Sequence, residues 1–278
     1  MKNTIGIIGC GNMGKAIADK LKKDFPVLVF DKFIEKAENI EQVQVASGVS
    51  QLCLGAQAII LAVKPQDFDG ILDELKGKID NKLIISIAAG IPTSLIENTL
   101  GAVAVVRVMP NIPVRIGKGT SCISKGKYAG IEELDLAQNI FDLFGQSIVI
   151  DENMMNAATA VSGSGPGFLY YLLKAQKIDP AEFDVVKRFA LEEFSVKLTQ
   201  AALALGFNMG QAEFLAVNTA EGSLSLLHEE GHTLEELIMQ VASKGGTTEA
   251  GLEVLSKGLT LEEAVKAAKT RAELLSRR

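Results

Sequence analysis

Three glycines, Gly9, Gly11 and Gly14, follow the first apolar run of the chain and precede a segment with helical periodicity. A strand that leads into a helix through G-x-G-x-x-G is typical of dinucleotide binding. Gly9 permits a tight turn, Gly11 lets a pyrophosphate approach the backbone, and Gly14 lets the helix pack closely on the strand. The N–H groups of the first helical turn, with Asn12 and Met13, then face the phosphates. The motif therefore predicts a dinucleotide site.

An acidic residue, Asp31, ends the second apolar run, 22 residues after Gly9. A carboxylate at this place accepts hydrogen bonds from the adenosine ribose hydroxyls and repels a 2′-phosphate. We therefore expect NAD(P)H as the cofactor, with NADH favoured by Asp31. The adjacent Lys32 offsets part of that repulsion. The alternative is that Asp31 is only an exposed turn residue.

Short apolar runs alternate with helix-length segments in the first half of the chain. They lie at 4–8, 27–30, 58–63, 83–87 and 103–108, and a further pair at 121–124 and 147–150 brackets a helical segment at 134–144. Runs that are apolar on both faces are typical of buried parallel strands. Their spacing indicates βαβ units. We therefore predict an α/β fold with a Rossmann-type, doubly wound, mostly parallel sheet.

The second half of the chain has helical patterns only. These patterns cover 168–173, 185–205, 211–227, 233–242 and 261–275. Thr233 with Glu236, and Thr260 with Glu263, have the spacing of a capping box at a helix start. We predict a dinucleotide-binding domain over residues 1–152 and an all-α domain over residues 153–278.

Composition and charge exclude several classes of protein. The 278 residues carry a net charge of −6, so the chain has no overall attraction for phosphate backbones and we expect no nucleic-acid partner. No uncharged apolar stretch of about 18 residues occurs, which predicts no membrane span. The strand-like run begins too early for a signal peptide. Three scattered cysteines are typical of a reducing cytoplasm, so we expect a cytoplasmic protein.

Turn-forming residues follow three successive strand-like runs. Lys64-Pro65 follows the run at 58–63, Ala88-Ala89-Gly90 follows the next, and Met109-Pro110-Asn111 follows the third. Ligands bind at the carboxyl ends of strands in open α/β sheets, where small side chains allow a flat nicotinamide ring close to the backbone. Each segment alone is equally well explained as a plain turn. Taken together, they predict cofactor contacts from Ala62, Val63, Lys64, Pro65, Ala88 and Asn111.

A cluster of glycine and hydroxyl residues, Ser243-Lys244-Gly245-Gly246-Thr247-Thr248, separates two predicted helices. Such a sequence leaves backbone N–H groups free, and the next helix begins there, which predicts an anion-binding nest. The alternative is a helix N-cap loop that holds no ligand.

Five segments, in this order, resemble the pyrroline-5-carboxylate reductase family. They are Ala62-Val63-Lys64-Pro65-Gln66, Ser86-Ile87-Ala88-Ala89-Gly90-Ile91, Arg107-Val108-Met109-Pro110-Asn111, Val161-Ser162-Gly163-Ser164-Gly165-Pro166 and Gly245-Gly246-Thr247-Thr248. The resemblance covers nearly the whole chain. It implies reduction of the C=N bond of 1-pyrroline-5-carboxylate to L-proline by hydride transfer from NAD(P)H, as in proline biosynthesis. It also implies that the all-α domain is a dimerisation domain and that the protein is a homodimer or a dimer-based higher oligomer.

The resemblance also implies roles for individual residues. The loop holds the substrate carboxylate through Ser243, Gly245, Gly246, Thr247 and Thr248, and the Thr248 hydroxyl bonds the imine nitrogen. Lys64 is expected to be a second catalytic residue. An iminium substrate needs no strong protein acid, which agrees with the absence of an obvious catalytic His, Asp or Glu from the motifs.

The chain departs from the family pattern at two places. Lys244 stands where the family usually has proline, which adds charge and loosens the loop. An additional segment, at about 174–197, lies in the predicted dimerisation domain, and Asp179-Pro180 within it predicts a break followed by a helix start. The additional segment is expected to affect the assembly.

Three other functions stay open. A related reductase would act on another cyclic imine. A β-hydroxyacid dehydrogenase-like enzyme needs a lysine near the start of the long helix, whereas the first lysine here, Lys174, comes eight residues after Pro166. A non-catalytic cofactor-sensing protein would bind the dinucleotide without turnover. His228 and His232 have zincin spacing, but Gly231 is expected to end a helix between them, so no metal site is predicted.

Overall fold

The computed structural model describes residues 3–229 and 231–277. Its contacts divide the chain into two compact units. The first unit comprises Met1–Val108, Ile123–Leu143 and Val149–Glu152, and the second comprises Met109–Cys122, Phe144–Ile148 and Asn153–Arg278. The chain is thus divided after Glu152, but two earlier segments also group with the helical residues. The assignment of 1–152 and 153–278 as functional domains stays a prediction.

Eight strands form a single sheet. They are β1 Ile5–Ile8, β2 Val27–Phe30, β3 Gln44–Val45, β4 Ala58–Leu61, β5 Leu83–Ser86, β6 Ala104–Pro110, β7 Gly119–Lys125 and β8 Gly145–Val149. The strand order is β3-β2-β1-β4-β5-β6-β7-β8. The pairs β1–β2, β1–β4, β2–β3, β4–β5 and β5–β6 are parallel. The predicted doubly wound, mostly parallel sheet is therefore confirmed.

The chain reverses its direction of travel across the sheet between β1 and β4. Strand β1 pairs with β2 on one side and with β4 on the other, with Ile7 opposite Val29 and Ile60. All residues of β1, β4 and β5 are buried, which is why their sequences are apolar at every position except Ser86. In such sheets, the crevice outside the carboxyl ends of the strands at this reversal is the place where ligands bind.

Six helices accompany the strands in the first unit. They are α1 Asn12–Leu21, α2 Ile34–Glu38, α3 Val49–Gly55, α4 Phe68–Leu75, α5 Thr93–Leu100 and α6 Ile131–Asp142. Leu52 of α3 and Phe68 and Leu72 of α4 pack with Ile59 and Ile84 of the sheet in one buried cluster. The helices therefore cover the sheet with apolar faces, as a core of this architecture requires.

Helices make up most of the second unit. They are α7 Met155–Ala158, α8 Gly165–Ala175, α9 Phe183–Arg188, α10 Ser195–Ala204, α11 Met209–Glu229, α12 Leu234–Val241, α13 Thr247–Ser256 and α14 Leu261–Leu275. Two π-helical turns, Thr159–Gly163 and Phe189–Phe194, lie within this series. Both predicted capping boxes are confirmed, since Glu236 N donates to Thr233 Oγ1 and Glu263 N donates to Thr260 Oγ1, each over 3.2 Å.

The structure corrects one predicted boundary and adds detail to two others. The run at 58–63 is a strand only as far as Leu61, because Ala62 and Val63 already lie in the turn. The helix predicted over 185–205 is confirmed as a continuous helical run from Phe183 to Ala204, in which a π-helical turn joins α9 to α10. Pro180 lies in a turn ahead of α9, where Ala181 N donates to Asp179 Oδ1 over 2.9 Å. A local side-chain bond therefore sets this break, and the helix starts three residues after the proline.

The two histidines do not share a helix face. Helix α11 ends at Glu229, and Gly231 has a φ of +63°, which only a glycine adopts without strain. His228 packs edge-on against the Phe183 ring, and Glu230 of the zincin-like segment lies outside the described residues. Residues 3–229 and 231–277 contain no group of three or more metal-ligating side chains. Over the same residues, no helix is long and apolar enough to cross a membrane.

Candidate functional site

The glycine loop after β1 is shaped by close backbone contacts. Gly9 has a φ of +101°. A Cβ added to Gly14 would lie 1.9 Å from the Gly9 carbonyl oxygen, so only glycine permits this approach of helix and strand. A Cβ added to Gly11 would meet nothing within 4 Å. The space beside Gly11 is therefore open to a ligand, whereas the space beside Gly14 is filled by protein.

Asp31 holds the glycine loop in place. Its Oδ2 accepts the N–H of Cys10 over 2.7 Å, and its Oδ1 accepts the N–H of Phe33 over 2.9 Å. One carboxylate thus connects the loop after β1 with the segment that leads into α2. The contact of Asp31 with a ribose stays a prediction, and its bond to the Cys10 N–H, which joins residues 21 positions apart, was not predicted.

A cleft of about 560 Å³ lies beside the loop. Its lining includes the predicted cofactor residues Gly9, Gly11, Asp31, Ala62, Val63 and Lys64. Asn12 and Met13 form the first turn of α1 with Gly11 as the N-cap residue, so their N–H groups have no carbonyl within the helix to bond. The loop therefore presents donors at a helix N-terminus, as a phosphate requires.

Three lysines line the same cleft, and two of them have partners nearby. Lys32 Nζ lies 2.8 Å from Asp67 Oδ1, and this hydrogen bond lowers the pKa of the Asp67 carboxyl. The ammonium groups of Lys32 and Lys36 lie 5.4 Å and 4.6 Å from the centre of the Phe33 ring. The third, Lys64, is exposed and precedes the short 3₁₀ turn Pro65–Asp67. The positive charge of Lys32 is therefore already partly balanced by a carboxylate.

Ala88 and Asn111 are not among the described residues that line this cleft. Ala88 is buried two residues before Gly90, which has a φ of +76°. Asn111 is buried in the second unit, where its Oδ1 accepts the N–H of Thr120 over 2.8 Å and its Nδ2 donates to Ser162 Oγ over 3.4 Å. Both ends of the Asn111 amide are thus in use within the protein, and its contact with a cofactor stays a prediction.

A network of buried hydroxyl groups surrounds the π-helical turn before α8. Ser162 Oγ accepts from Thr219 Oγ1 over 3.3 Å. Ser164 Oγ accepts from Thr248 Oγ1 over 3.1 Å and lies 3.0 Å from Thr247 Oγ1. Ser162 and Ser164 are both 0% exposed, and Thr248 is 4% exposed. The motif at 161–166 therefore packs directly against the start of α13.

Gly245 anchors the loop that precedes α13. It has a φ of +70°, its N–H donates to Glu249 Oε2 over 2.6 Å, and its carbonyl accepts from Arg271 Nε over 2.7 Å. Gly246 N donates to the Ser243 carbonyl over 2.9 Å. The N–H groups of Gly245 and Gly246, which were expected to be free, therefore form hydrogen bonds within the protein. The nest thus has fewer free donors than predicted.

The donors that the loop still presents are those of the first turn of α13. Thr247 and Thr248 open this helix, so their N–H groups have no carbonyl within it to bond. The loop borders a cleft of about 650 Å³ whose lining includes Gly245, Gly246 and Arg271. Glu249 and Arg271 were not predicted, since nothing in their spacing indicates that both reach Gly245.

A partly buried ion pair lies in the first unit. Arg107, which is 4% exposed, has its Nη1 3.6 Å from Glu152 Oε1, and burial lowers the pKa of this guanidinium. The same carboxylate accepts the N–H and the hydroxyl of Thr93, over 2.7 Å and 2.5 Å. Glu152 thus bonds the first residue of α5 from a position 59 residues away in the sequence.

Comparison with known proteins places these motifs in a family. A family model described as pyrroline-5-carboxylate reductase dimerisation matches residues 191–275, and one described as NADP oxidoreductase, coenzyme F420-dependent, matches residues 4–90. Pyrroline-5-carboxylate reductase of Aquifex aeolicus is 33% identical over 93% of this chain and 92% of its own length. The Synechocystis enzyme of that name is 30% identical over the full length of both chains.

A solved structure agrees with this assignment. The pyrroline-5-carboxylate reductase of Coxiella burnetii is 29% identical, with a TM-score of 0.67 over 100% of both chains. The resemblance seen in the five sequence motifs is therefore confirmed along the whole length of the protein. The chain belongs to the pyrroline-5-carboxylate reductase family.

Proposed function

We propose that this protein reduces the C=N bond of 1-pyrroline-5-carboxylate to L-proline, with hydride from NAD(P)H, as an enzyme of proline biosynthesis. The observation that carries the proposal is the family likeness over the full chain, which includes the glycine loop at 9–14 and the loop at 243–248, called the hydroxyl loop below. The match to an NADP oxidoreductase model over residues 4–90 supports an NAD(P)H cofactor.

The glycine loop fits a dinucleotide. The open space beside Gly11 would accept a pyrophosphate, and the N–H groups of the first α1 turn would bind it. When bound, the reduced nicotinamide supplies the hydride, and the protein orients it. The residues assigned to this cofactor are Gly9, Gly11, Asn12, Met13, Gly14, Asp31, Ala62, Val63, Lys64, Pro65, Ala88 and Asn111.

The preference between the two cofactors is proposed from Asp31. Its carboxylate is fixed by two backbone N–H groups, so it cannot easily turn away from a 2′-phosphate. Lys32 is paired with Asp67, which leaves less of its charge to attract that phosphate. We therefore expect a higher kcat/KM with NADH than with NADPH.

The loop before α13 is proposed to bind the substrate. The N–H groups of Thr247 and Thr248 would hold the carboxylate at the helix N-terminus, in a loop built from Ser243, Gly245 and Gly246. The Thr248 hydroxyl would bond the imine nitrogen, and orientation of the two reactants supplies most of the rate. Lys64, exposed at the cofactor cleft, is kept as a second catalytic residue.

The proposed assembly and location follow from separate observations. The match to a dimerisation model over residues 191–275 supports a dimer-based oligomer, and we propose a homodimer or a higher oligomer built from it. The proposed cytoplasmic location is supported by the cysteines, since Cys10, Cys53 and Cys122 are free and buried.

The test is oxidation of NADH and of NADPH by the purified protein, with and without 1-pyrroline-5-carboxylate. Imine-dependent oxidation that is faster with NADH supports the function and the role of Asp31. Imine-dependent oxidation that is faster with NADPH supports the reductase activity and contradicts the proposed preference for NADH. Binding of both cofactors without turnover contradicts the function and favours another imine or a cofactor-sensing role.

A further inference from the structure

The start of α13 has a hydroxyl partner that the proposed reaction does not use. Ser164 Oγ lies between two threonine hydroxyls of the loop, 3.1 Å from Thr248 Oγ1 and 3.0 Å from Thr247 Oγ1. Ser164 is 0% exposed, Thr248 is 4% exposed, and Thr247 is half-buried. The three hydroxyls thus form a short chain from the interior to the surface of the second unit.

A hydroxyl group has one hydrogen and two acceptor lone pairs. In this geometry, Thr248 gives its hydrogen to Ser164, which fixes the torsion of the Thr248 side chain. A hydroxyl that is already held in place does not have to be ordered when the substrate binds, and a small misplacement of such a group lowers the rate. Ser164 therefore has the position of a group that orients Thr248.

We propose that Ser164 is a positioning residue that holds the Thr248 hydroxyl for the imine nitrogen. This inference rests on the proposed function of the loop. It concerns the Ser164 side chain, which lies in a different motif, 83 positions before Thr247.

Two features of the packing support a specific role. Gly167, one helical turn after Ser164, lies so close to Thr248 that an added Cβ would be 2.6 Å from Thr248 Cγ2. The Thr248 side chain thus packs against Gly167 of α8 through its methyl group and bonds to Ser164 through its hydroxyl. The π-helical turn Thr159–Gly163 ends directly before Ser164, and π-helical turns are frequent at functional sites.

Ser162 provides a matched control. It belongs to the same motif, is equally buried, and its hydroxyl accepts two hydrogen bonds, from Asn111 and Thr219. Among the hydrogen bonds of the described residues, none joins Ser162 to Thr247 or Thr248. Loss of the Ser162 hydroxyl therefore measures the cost of a buried unpaired group in this motif without a direct effect on Thr248.

The experiment is a double-mutant cycle on the full-length protein at saturating cofactor. The test cycle comprises Ser164→Ala, Thr248→Val and the double variant. The parallel control cycle comprises Ser162→Ala, Thr248→Val and their double variant. We expect Ser164→Ala to lower kcat by about tenfold, the size of effect that a lost buried hydrogen bond produces, with a smaller change in the KM for the imine. In the T248V background, the same change should lower kcat by less than about twofold, because Ser164 acts through Thr248.

Ser162→Ala should reduce the unfolding temperature at least as much as Ser164→Ala, yet change kcat by the same small factor in both backgrounds. If Ser164→Ala does not fold, Ser164→Cys replaces it in the double-mutant cycle, since the thiol keeps a weak donor and acceptor at this position.

If Ser164→Ala lowers kcat by the same factor in the parent and in the Thr248→Val variant, the proposal is overturned. It is also overturned if Ser162→Ala lowers kcat as much as Ser164→Ala does. An unmodified protein that fails to reduce the imine with either cofactor overturns the proposed function, and the role of Ser164 with it. If the unmodified protein is active but the effects of Ser164→Ala and Thr248→Val on kcat are additive, only the role proposed for Ser164 is overturned.

Discussion

The glycine loop of the first unit and the hydroxyl loop of the second unit are proposed to bind their ligands in opposite ways. The glycine loop works through missing side chains, since Gly11 leaves space and Gly14 allows a backbone contact. The hydroxyl loop works through side chains that are present, since Thr247 and Thr248 bond to Ser164. Substitutions in the first loop should therefore act by steric collision, and those in the second by loss or displacement of a polar contact.

The largest effect is expected for Gly14→Ala. The added Cβ would lie 1.9 Å from the Gly9 carbonyl oxygen and 3.2 Å from the Ala62 side chain, so helix α1 must move away from the sheet. We expect a loss of at least about 3 kcal/mol in the free energy of unfolding, measured by urea denaturation. An unfolding free energy equal to that of the parent would contradict the close packing of this loop.

A smaller effect, of another kind, is expected for Gly11→Ala. This residue has a φ of −70°, which alanine adopts freely, and its Cβ would meet nothing within 4 Å. Stability should stay within about 0.5 kcal/mol of the parent. The methyl group would occupy the space proposed for the pyrophosphate, so we expect the Kd for the dinucleotide to rise by roughly thirtyfold. Fluorescence titration measures this Kd, and an unchanged Kd would contradict the proposed position of the pyrophosphate beside Gly11.

The smallest of the three effects is expected for Gly167→Ala. Its Cβ would lie 2.6 Å from Thr248 Cγ2, so the threonine must shift by several tenths of an ångström. We expect kcat to fall by about tenfold, because a misplaced group close to the substrate lowers the rate. Gly210→Ala in α11 is the control, since its Cβ would meet its nearest neighbour at an ordinary 3.6 Å. Equal kcat values for Gly167→Ala and Gly210→Ala would show that the position of Thr248 does not affect the reaction.

The fold could be predicted from local patterns because each pattern has one dominant physical cause. Strands β1, β4 and β5 are buried on both faces, so their sequences are near-continuous apolar runs, interrupted at Ser86. The capping boxes at Thr233 and Thr260 need only residues three positions apart. Strand β3 went unpredicted because two residues, Gln44 and Val45, are too few to form a recognisable run.

The candidate site could be predicted only in part, because its geometry depends on residues far apart in the sequence. The motifs located the glycine loop and the hydroxyl loop, since both are short and contiguous. The contact of Arg271 with Gly245 joins positions 26 apart, and that of Ser164 with Thr248 joins positions 84 apart. No local periodicity encodes such pairs, so only the packed structure reveals which groups support the loop.

The double hydrogen bonding of Asp31 bears on attempts to engineer cofactor use. Replacing this carboxylate is the obvious way to admit a 2′-phosphate, but it also removes the acceptors of the Cys10 and Phe33 N–H groups. A redesigned enzyme would then lose order in the loop that is proposed to bind either cofactor. Asp67 is a better first position to alter, because its removal releases the Lys32 ammonium at the cleft and leaves the Asp31 bonds intact.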